Sequence, residues 1–141
     1  MKKTQFKPQE RAWHLIDAKD KILGRLAVRI SMILQGKNKA TYSPQLLSGD
    51  RVVVINARHI KTTKNKIKTK VYDKYTGYPS GRKEMTLERL HEKNPTKVLR
   101  YAVKGMLPRG PRGKLLLRSL KIYADETHDQ HAQNPQELKV L

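Results

Sequence analysis

The chain has 141 residues with 31 Lys and Arg against 12 Asp and Glu, a formal charge of +19, and no cysteine. So large an excess points to a polyanionic partner, because each phosphate that a cation neutralises releases condensed counterions. The composition excludes a disulfide framework, a thiolate zinc site and a cysteine nucleophile, and no apolar run approaches the roughly 18–20 residues of a membrane-spanning helix.

In chain order, Met1-Lys2-Lys3-Thr4 is positively charged but has no apolar stretch after it, so it is not a signal peptide and a cytoplasmic location is expected. Residues 1–13 read as a basic arm. His14-Leu15-Ile16-Asp17 is a short strand. From Leu23 the period turns helical: Leu26, Ile30, Ile33 and Leu34 form one apolar face and Gly36 closes the run as a C-cap. Lys37 and Lys39, which follow that cap, are candidate nucleic-acid contacts. Val52-Val53-Val54-Ile55, bounded by Gly49-Asp50 and Asn56, is the strongest strand, and its unbroken apolarity predicts burial on both faces. Strand, helix, strand in this order favours a βαβ crossover and a parallel or mixed sheet.

In residues 60–75, Lys64, Lys66, Lys68 and Lys70 alternate with Asn65, Ile67 and Thr69, which places the lysines on one face of an extended segment. Gly77, Pro79 and Gly81 predict a loop over 75–83, and a short helix follows over 87–93. Asn94-Pro95 starts the next helix, with Asn as N-cap and Pro at the first helical position. That helix is expected to bury Val98, Leu99, Ala102, Val103 and Met106 and to carry Lys97, Arg100 and Lys104 on its other side. Pro108-Arg109-Gly110-Pro111 interrupts it. Leu115-Leu116-Leu117 with Leu120 predicts another short helix, passing into a late strand at Lys121-Ile122-Tyr123. The reading gives one α/β domain over 14–124, followed by a polar tail over 125–141 with four acids and only Lys139.

The sharpest local signal is Arg109-Gly110-Pro111-Arg112-Gly113-Lys114. Glycines let backbone amides approach phosphate, and a helix N-terminus adds a favourable dipole. Arg118 and Lys121 extend the stripe from Lys114. The same pattern also fits a solvated basic loop. It is not a Walker loop, because Leu115 follows Lys114 and Pro108 holds the place of the first glycine. The lysines of 64–70 fit either a ribbon tracking phosphates or the protection of a sheet edge. Arg25 and Arg29, one turn apart, could reach phosphate or snorkel over the core. Trp13, Tyr42, Tyr72, Tyr75 and Tyr78 are candidates for base stacking; Tyr75 and Tyr78 flank Gly77 and Arg82 lies beyond it, in a basic loop. His128 and His131, near Glu126 and Asp129, have metal-like spacing but read better as scattered histidines in a tail. With no nucleophile elbow, paired carboxylates or dinucleotide fingerprint, binding rather than turnover is the supported class, with no cofactor, metal or small-molecule substrate expected.

Several segments together resemble the bacterial-type large-subunit ribosomal protein L-thirteen family. They are Leu23-Gly24-Arg25-Leu26-Ala27, Gly49-Asp50 leading into Val52-Val53-Val54-Ile55-Asn56-Ala57, Thr76-Gly77-Tyr78-Pro79, Ala102-Val103-Lys104-Gly105-Met106-Leu107-Pro108 and Leu120-Lys121-Ile122-Tyr123-Ala124. The resemblance implies a three-layer α/β/α domain around a small, largely parallel sheet. It implies a structural constituent of the large subunit that binds ribosomal RNA early in assembly and touches neighbouring ribosomal proteins. Carried over by position, Thr76, Gly77, Lys104, Gly105 and the loop from Arg109 to Lys114 face RNA. The chain departs from the family at Lys64, where a glycine is common, at Tyr75, usually His, and at Asp125, usually Gly. An RNA-modifying enzyme and a DNA-binding regulator are the other classes a basic surface allows. The first would need a pocket with a general base and the second a helix-turn-helix or a dimer seam.

Overall fold

The computed structural model describes residues 10–139, so most of the expected arm lies outside the described residues. In chain order the elements are β1 (Trp13–Asp17), α1 (Leu23–Gln35), β2 (Arg51–Ile55), α2 (Lys66–Thr69), β3 (Val71–Tyr75), β4 (Arg82–Thr86), α3 (Leu87–Lys93), α4 (Pro95–Met106), α5 (Pro111–Arg118), β5 (Leu120–Ile122) and β6 (Gln136–Glu137). Two 3-10 turns, Ala57–His59 and His131–Gln133, complete them.

Four strands form a sheet of order β5-β2-β1-β6 in which every pairing is parallel. The expected α/β class with a small parallel sheet is what folds. Val52, Val53 and Val54 are fully buried. Ile16, Val52 and Val54 join one cluster with the apolar stripes of α1, α3, α4 and α5. Val53, pointing to the other face, is equally closed to solvent, so both faces of the central strand are covered. Each such aliphatic side chain contributes roughly 1.5–3 kcal/mol by leaving water, which makes this β-branched run the anchor of the domain.

The C-terminus of α1 docks on the start of β2. Gly36 takes the left-handed conformation (φ 77°), its N–H donates to the Ile33 carbonyl, and Lys37 N–H donates to that of Met32. These two bonds close the helix as a Schellman motif. Asp50 N–H also donates to Ile33 O (3.2 Å). Gly49 is required here because a Cβ on it would lie 1.7 Å from the Leu34 carbonyl oxygen.

Asp50 itself is buried and gathers three segments. Its Oδ1 accepts from the Ala12 N–H (3.0 Å) and from Lys39 Nζ (2.5 Å), and its Oδ2 lies 3.2 Å from His14 Nε2. Burial opposes its ionisation, but the bonds from Lys39, His14 and the Ala12 amide outweigh that and hold the carboxyl below the ordinary carboxylate range. Arg11 completes the junction, donating to Gly49 O and Ser119 Oγ, both at 2.7 Å.

Three segments differ from the sequence expectation. Residues 66–69 form one turn of helix rather than an extended ribbon, with Lys68, Thr69 and Lys70 amides donating back to the carbonyls of Asn65 and Lys66. The loop expected over 75–83 does form, over residues 76–81, but the strands on either side of it were not expected: it is the tip of an antiparallel hairpin, β3 paired with β4, whose inner face packs Tyr72 and Met85 against the core. The polar tail returns to the sheet: β6 pairs with β1 through His14–Gln136 and Leu15–Glu137, and Leu138 packs on the core. Asn94 also serves two helices, since its N–H closes α3 on Leu90 O while its side chain makes no capping bond to α4.

Two outcomes follow. Asp50→Ala should cost about 3 kcal/mol at neutral pH, because it strips Lys39, His14 and the Ala12 amide of their common acceptor. Since the folded pKa of Asp50 is depressed, that stabilisation is complete above the unfolded value of about 4 and is lost as pH falls through and below it. Urea unfolding at several pH values should therefore show wild type and variant converging in acid. Lys64 adopts φ 54°, a left-handed conformation unfavourable to a side chain, so Lys64→Gly should raise stability by about 1 kcal/mol, read from the same unfolding curves.

Candidate nucleic-acid interface

A cleft of about 650 Å³ opens between α1, α2 and α4. Its position follows from backbone stitching. Leu23 N–H donates to Lys61 O and Lys61 N–H to Lys21 O, which lays the segment before α2 beside the start of α1. Leu87 N–H donates to Lys70 O and ties the end of α2 to α3. Leu23, Leu87 and Ala102 provide apolar lining, together with Val28, Tyr101 and Met106, and Arg25, Lys66 and Lys70 supply the charge. No acid lines the cleft. Four of the sequence candidates, Arg25, Lys66, Lys70 and Gly105, therefore meet here, although they lie on three separate elements. Met106, expected in the core, is exposed on the cleft wall instead. It occupies the last position of α4, where the chain has begun to turn away from the sheet.

A second basic surface runs along the outer edge of the sheet. Lys97 and Arg100 of α4 face Leu120 and Ile122 of β5 across one cavity of about 380 Å³. Arg100 also lines an adjoining cavity of about 470 Å³ with Arg118, Lys121 and Tyr123. Neither of these two cavities has an acid in its lining, although Lys97 also borders Asp73 and Glu84 on its hairpin side. Sequence reading singles out only Arg118 of the four as a site residue. The α4 charges look like a solvated helix face until the fold sets α4 beside β5. Lys104 is exposed on α4 but lines neither cavity.

The hairpin projects a third set. Tyr75 and Tyr78 are 66% and 74% exposed at its tip, beside Thr76 and Gly77, whose φ of 94° makes the turn. Arg82 is internally compensated, 3.6 Å from Asp73 and 2.9 Å from Glu84. Lys74 and Lys83 stand directly opposite each other, a like-charge pair that an isolated ribbon disfavours. With Lys97 they line a further cavity against Tyr72 and Tyr101, whose rings pack 5.7 Å apart. Lys70 sits 5.1 Å over the Tyr72 ring. Tyr101 borders three of these cavities, and sequence reading omits it; its only signal is its place one turn after Lys97.

Other candidates are engaged inside the fold. Lys39 is bound to Asp50, as above. The Arg112 guanidinium donates to the carbonyls of Pro44 and Leu46, fastening the 37–48 loop to α5. Gly113 is closed by the fold, since a Cβ there would lie 1.9 Å from Pro108 O. Its small size serves the packing of α5 rather than an approach by phosphate. Arg29, Lys37, Lys64, Lys68, Arg109 and Lys114 are exposed but line neither of the two acid-free surfaces. The rings of His128 and His131 stack at 4.3 Å, and His128 Nδ1 accepts the Gln130 N–H. Among the described residues no cluster of three metal-ligating side chains forms, and no helix is long and apolar enough to cross a membrane.

Comparison with known proteins agrees over nearly the whole chain. The family model for ribosomal protein L13 matches residues 11–129. A large ribosomal subunit protein uL13 from Petrotoga mobilis is 50% identical over 131 residues, covering 93% of this chain and 87% of the relative. The uL13 of Hahella chejuensis is 46% identical over 142 residues, covering 99% and 100%. That of Nitrosomonas europaea is 47% identical over 142 residues, covering 99% of each.

The contrast between neighbouring arginines is measurable. Arg112→Ala should lower stability by about 1–2 kcal/mol by leaving two loop carbonyls without their donor. Arg109→Ala, on an exposed turn, should change it by less than about 0.5 kcal/mol. Thermal unfolding of the two variants checks this.

Proposed function

Because the chain belongs to the ribosomal protein L13 family, we propose that it is a structural constituent of the large ribosomal subunit that binds ribosomal RNA and supports early assembly of the particle. It is not an enzyme; it works in the cytoplasm as part of the subunit, among neighbouring ribosomal proteins. The observation that supports the RNA reading is the edge surface of Lys97, Arg100, Arg118 and Lys121, four cations that line two adjoining cavities with no acid in their walls. Each can neutralise a phosphate, and a row of them along one edge follows a backbone rather than a base sequence.

The mechanism is electrostatic bracing. The edge surface, the α1–α4 cleft and the hairpin tip point to different elements of the surroundings, so one rigid domain can hold several RNA segments in a fixed arrangement. Shape sets the specificity, because A-form RNA offers little of its base sequence to a protein surface.

Two measurements test this. The tagged chain should co-sediment with large subunits through a gradient at moderate salt; recovery mainly as free protein, with the RNA intact, overturns the assignment. In binding to in vitro transcribed large-subunit RNA, replacing Lys97, Arg100, Arg118 and Lys121 together by Ala should reduce the slope of log K against log salt by about 3. An unchanged slope would remove the edge surface from the interface.

A further inference from the structure

The chain has eight glycines, and six have a cause inside the fold. Gly49, Gly81 and Gly113 are closed by atoms within 3 Å of a would-be Cβ, and Gly36, Gly77 and Gly110 have left-handed φ. Gly24 and Gly105 have neither: both lie in helices at ordinary φ, and nothing in the chain lies within 4 Å of either Cβ position. Gly24 stands in the first turn of α1 and Gly105 in the last turn of α4, where alanine still suits a helix at least as well as glycine, so neither glycine is there for helix stability or for packing. Both line the same cleft, the one that Arg25, Lys66 and Lys70 make positive. Two small residues facing one cavity leave room for something outside the chain to approach the helix backbones.

The occupant's chemistry can be read from the walls. Three cations and no acid select an anion. Tyr101, 45% exposed and steadied from the side by Tyr72, offers an aromatic surface, and Val28 and Met106 extend the apolar wall. No side chain caps the first turn of α1, where Gly24 and Arg25 sit. A volume of about 650 Å³ falls in the range of pockets that enclose one compact ligand rather than a duplex. A helical duplex cannot present a base to such a recess, whereas an unpaired nucleotide presents a planar apolar face and an anionic backbone together.

We propose that the α1–α4 cleft seats one unpaired nucleotide of the bound RNA, its phosphate held by Arg25, Lys66 and Lys70 and its base against Tyr101, with Gly24 and Gly105 kept small by the close passage of the sugar-phosphate backbone. This deepens the RNA-binding reading and rests on it. It adds a shape-selective contact to the bracing along the sheet edge.

The test uses Gly24→Ala and Gly105→Ala in the full chain with in vitro transcribed large-subunit RNA. Each variant should melt at or above the wild-type temperature, because alanine favours the helix. Each should nevertheless bind the RNA at least about tenfold more weakly. Ultraviolet crosslinking of the wild-type complex, read by mass spectrometry, should attach a nucleotide to the peptide containing Tyr101, and the alanine variants should lose that crosslink. Wild-type affinity in both variants, or crosslinks that avoid the cleft, overturns the nucleotide seat and leaves the edge surface standing; a protein occupant would give that result. Failure of the wild-type chain to bind the RNA at all overturns both readings.

Discussion

Parallel strands cannot be joined by tight turns, so each connection in this sheet has to travel back outside it before the next strand begins. The first return is α1. The second is the long excursion through α2, the β3–β4 hairpin, α3, α4 and α5, and the third is the irregular stretch leading to β6. The helices of the first two returns spend their apolar stripes on the core and are left with outward faces for charge. That is how no Lys or Arg among the described residues ends up buried in the interior. The basic surfaces form where two elements meet, α1 against α4 and α4 against β5, so their shape is as rigid as the packing beneath them.

The few acids decide where positive charge is left over. Asp50 takes Lys39, Asp20 takes Lys61, Asp125 takes Arg58, and Asp73 with Glu84 takes Arg82. Apart from the buried Asp50 junction, these are exposed pairs that contribute little to stability. Their effect is one of placement. They quiet loops and the hairpin face, while the cleft and the sheet edge keep their cations uncompensated. A count of charges along the chain cannot show this, since partners such as Arg58 and Asp125 lie far apart in sequence.

What was legible in the sequence is what a single element encodes. The apolar period of α1, its Gly36 cap, the β-branched run of β2 and the Pro95 start of α4 stand where pattern and capping chemistry put them, and the short strand β5 stands one residue earlier than expected, taking in Leu120. The hairpin escaped because its strands are largely solvated, with only Tyr72 and Met85 packed inward, so no apolar alternation marks them. The lysine alternation at 64–70 misled because one turn of helix is too short to establish a period of its own. β6 consists of two polar residues held by backbone pairing, which leaves no trace in side-chain pattern. Within the candidate site, Arg25, Lys66, Lys70 and Gly105 were visible one by one, but their convergence is a property of the fold. Arg112 was misleading in the opposite sense: its charge is conspicuous, while its hydrogen bonds to Pro44 and Leu46 are non-local.

The pairing of β6 with β1 bears on when the molecule becomes whole. Among the described elements β1 is made first and β6 last, yet they are neighbours in the sheet. Contacts between such distant parts of a chain are slow to form, because a long loop must close before they give any return. During synthesis, β1 therefore has a vacant flank until residues 136–137 have emerged, and the hydrogen bonds of Leu15 on that side stay open. The helices and grooves can form earlier, but the sheet that fixes their spacing is finished last. Translation thus acts as a timer on this sheet, which is complete only after residues 136–137 have been made.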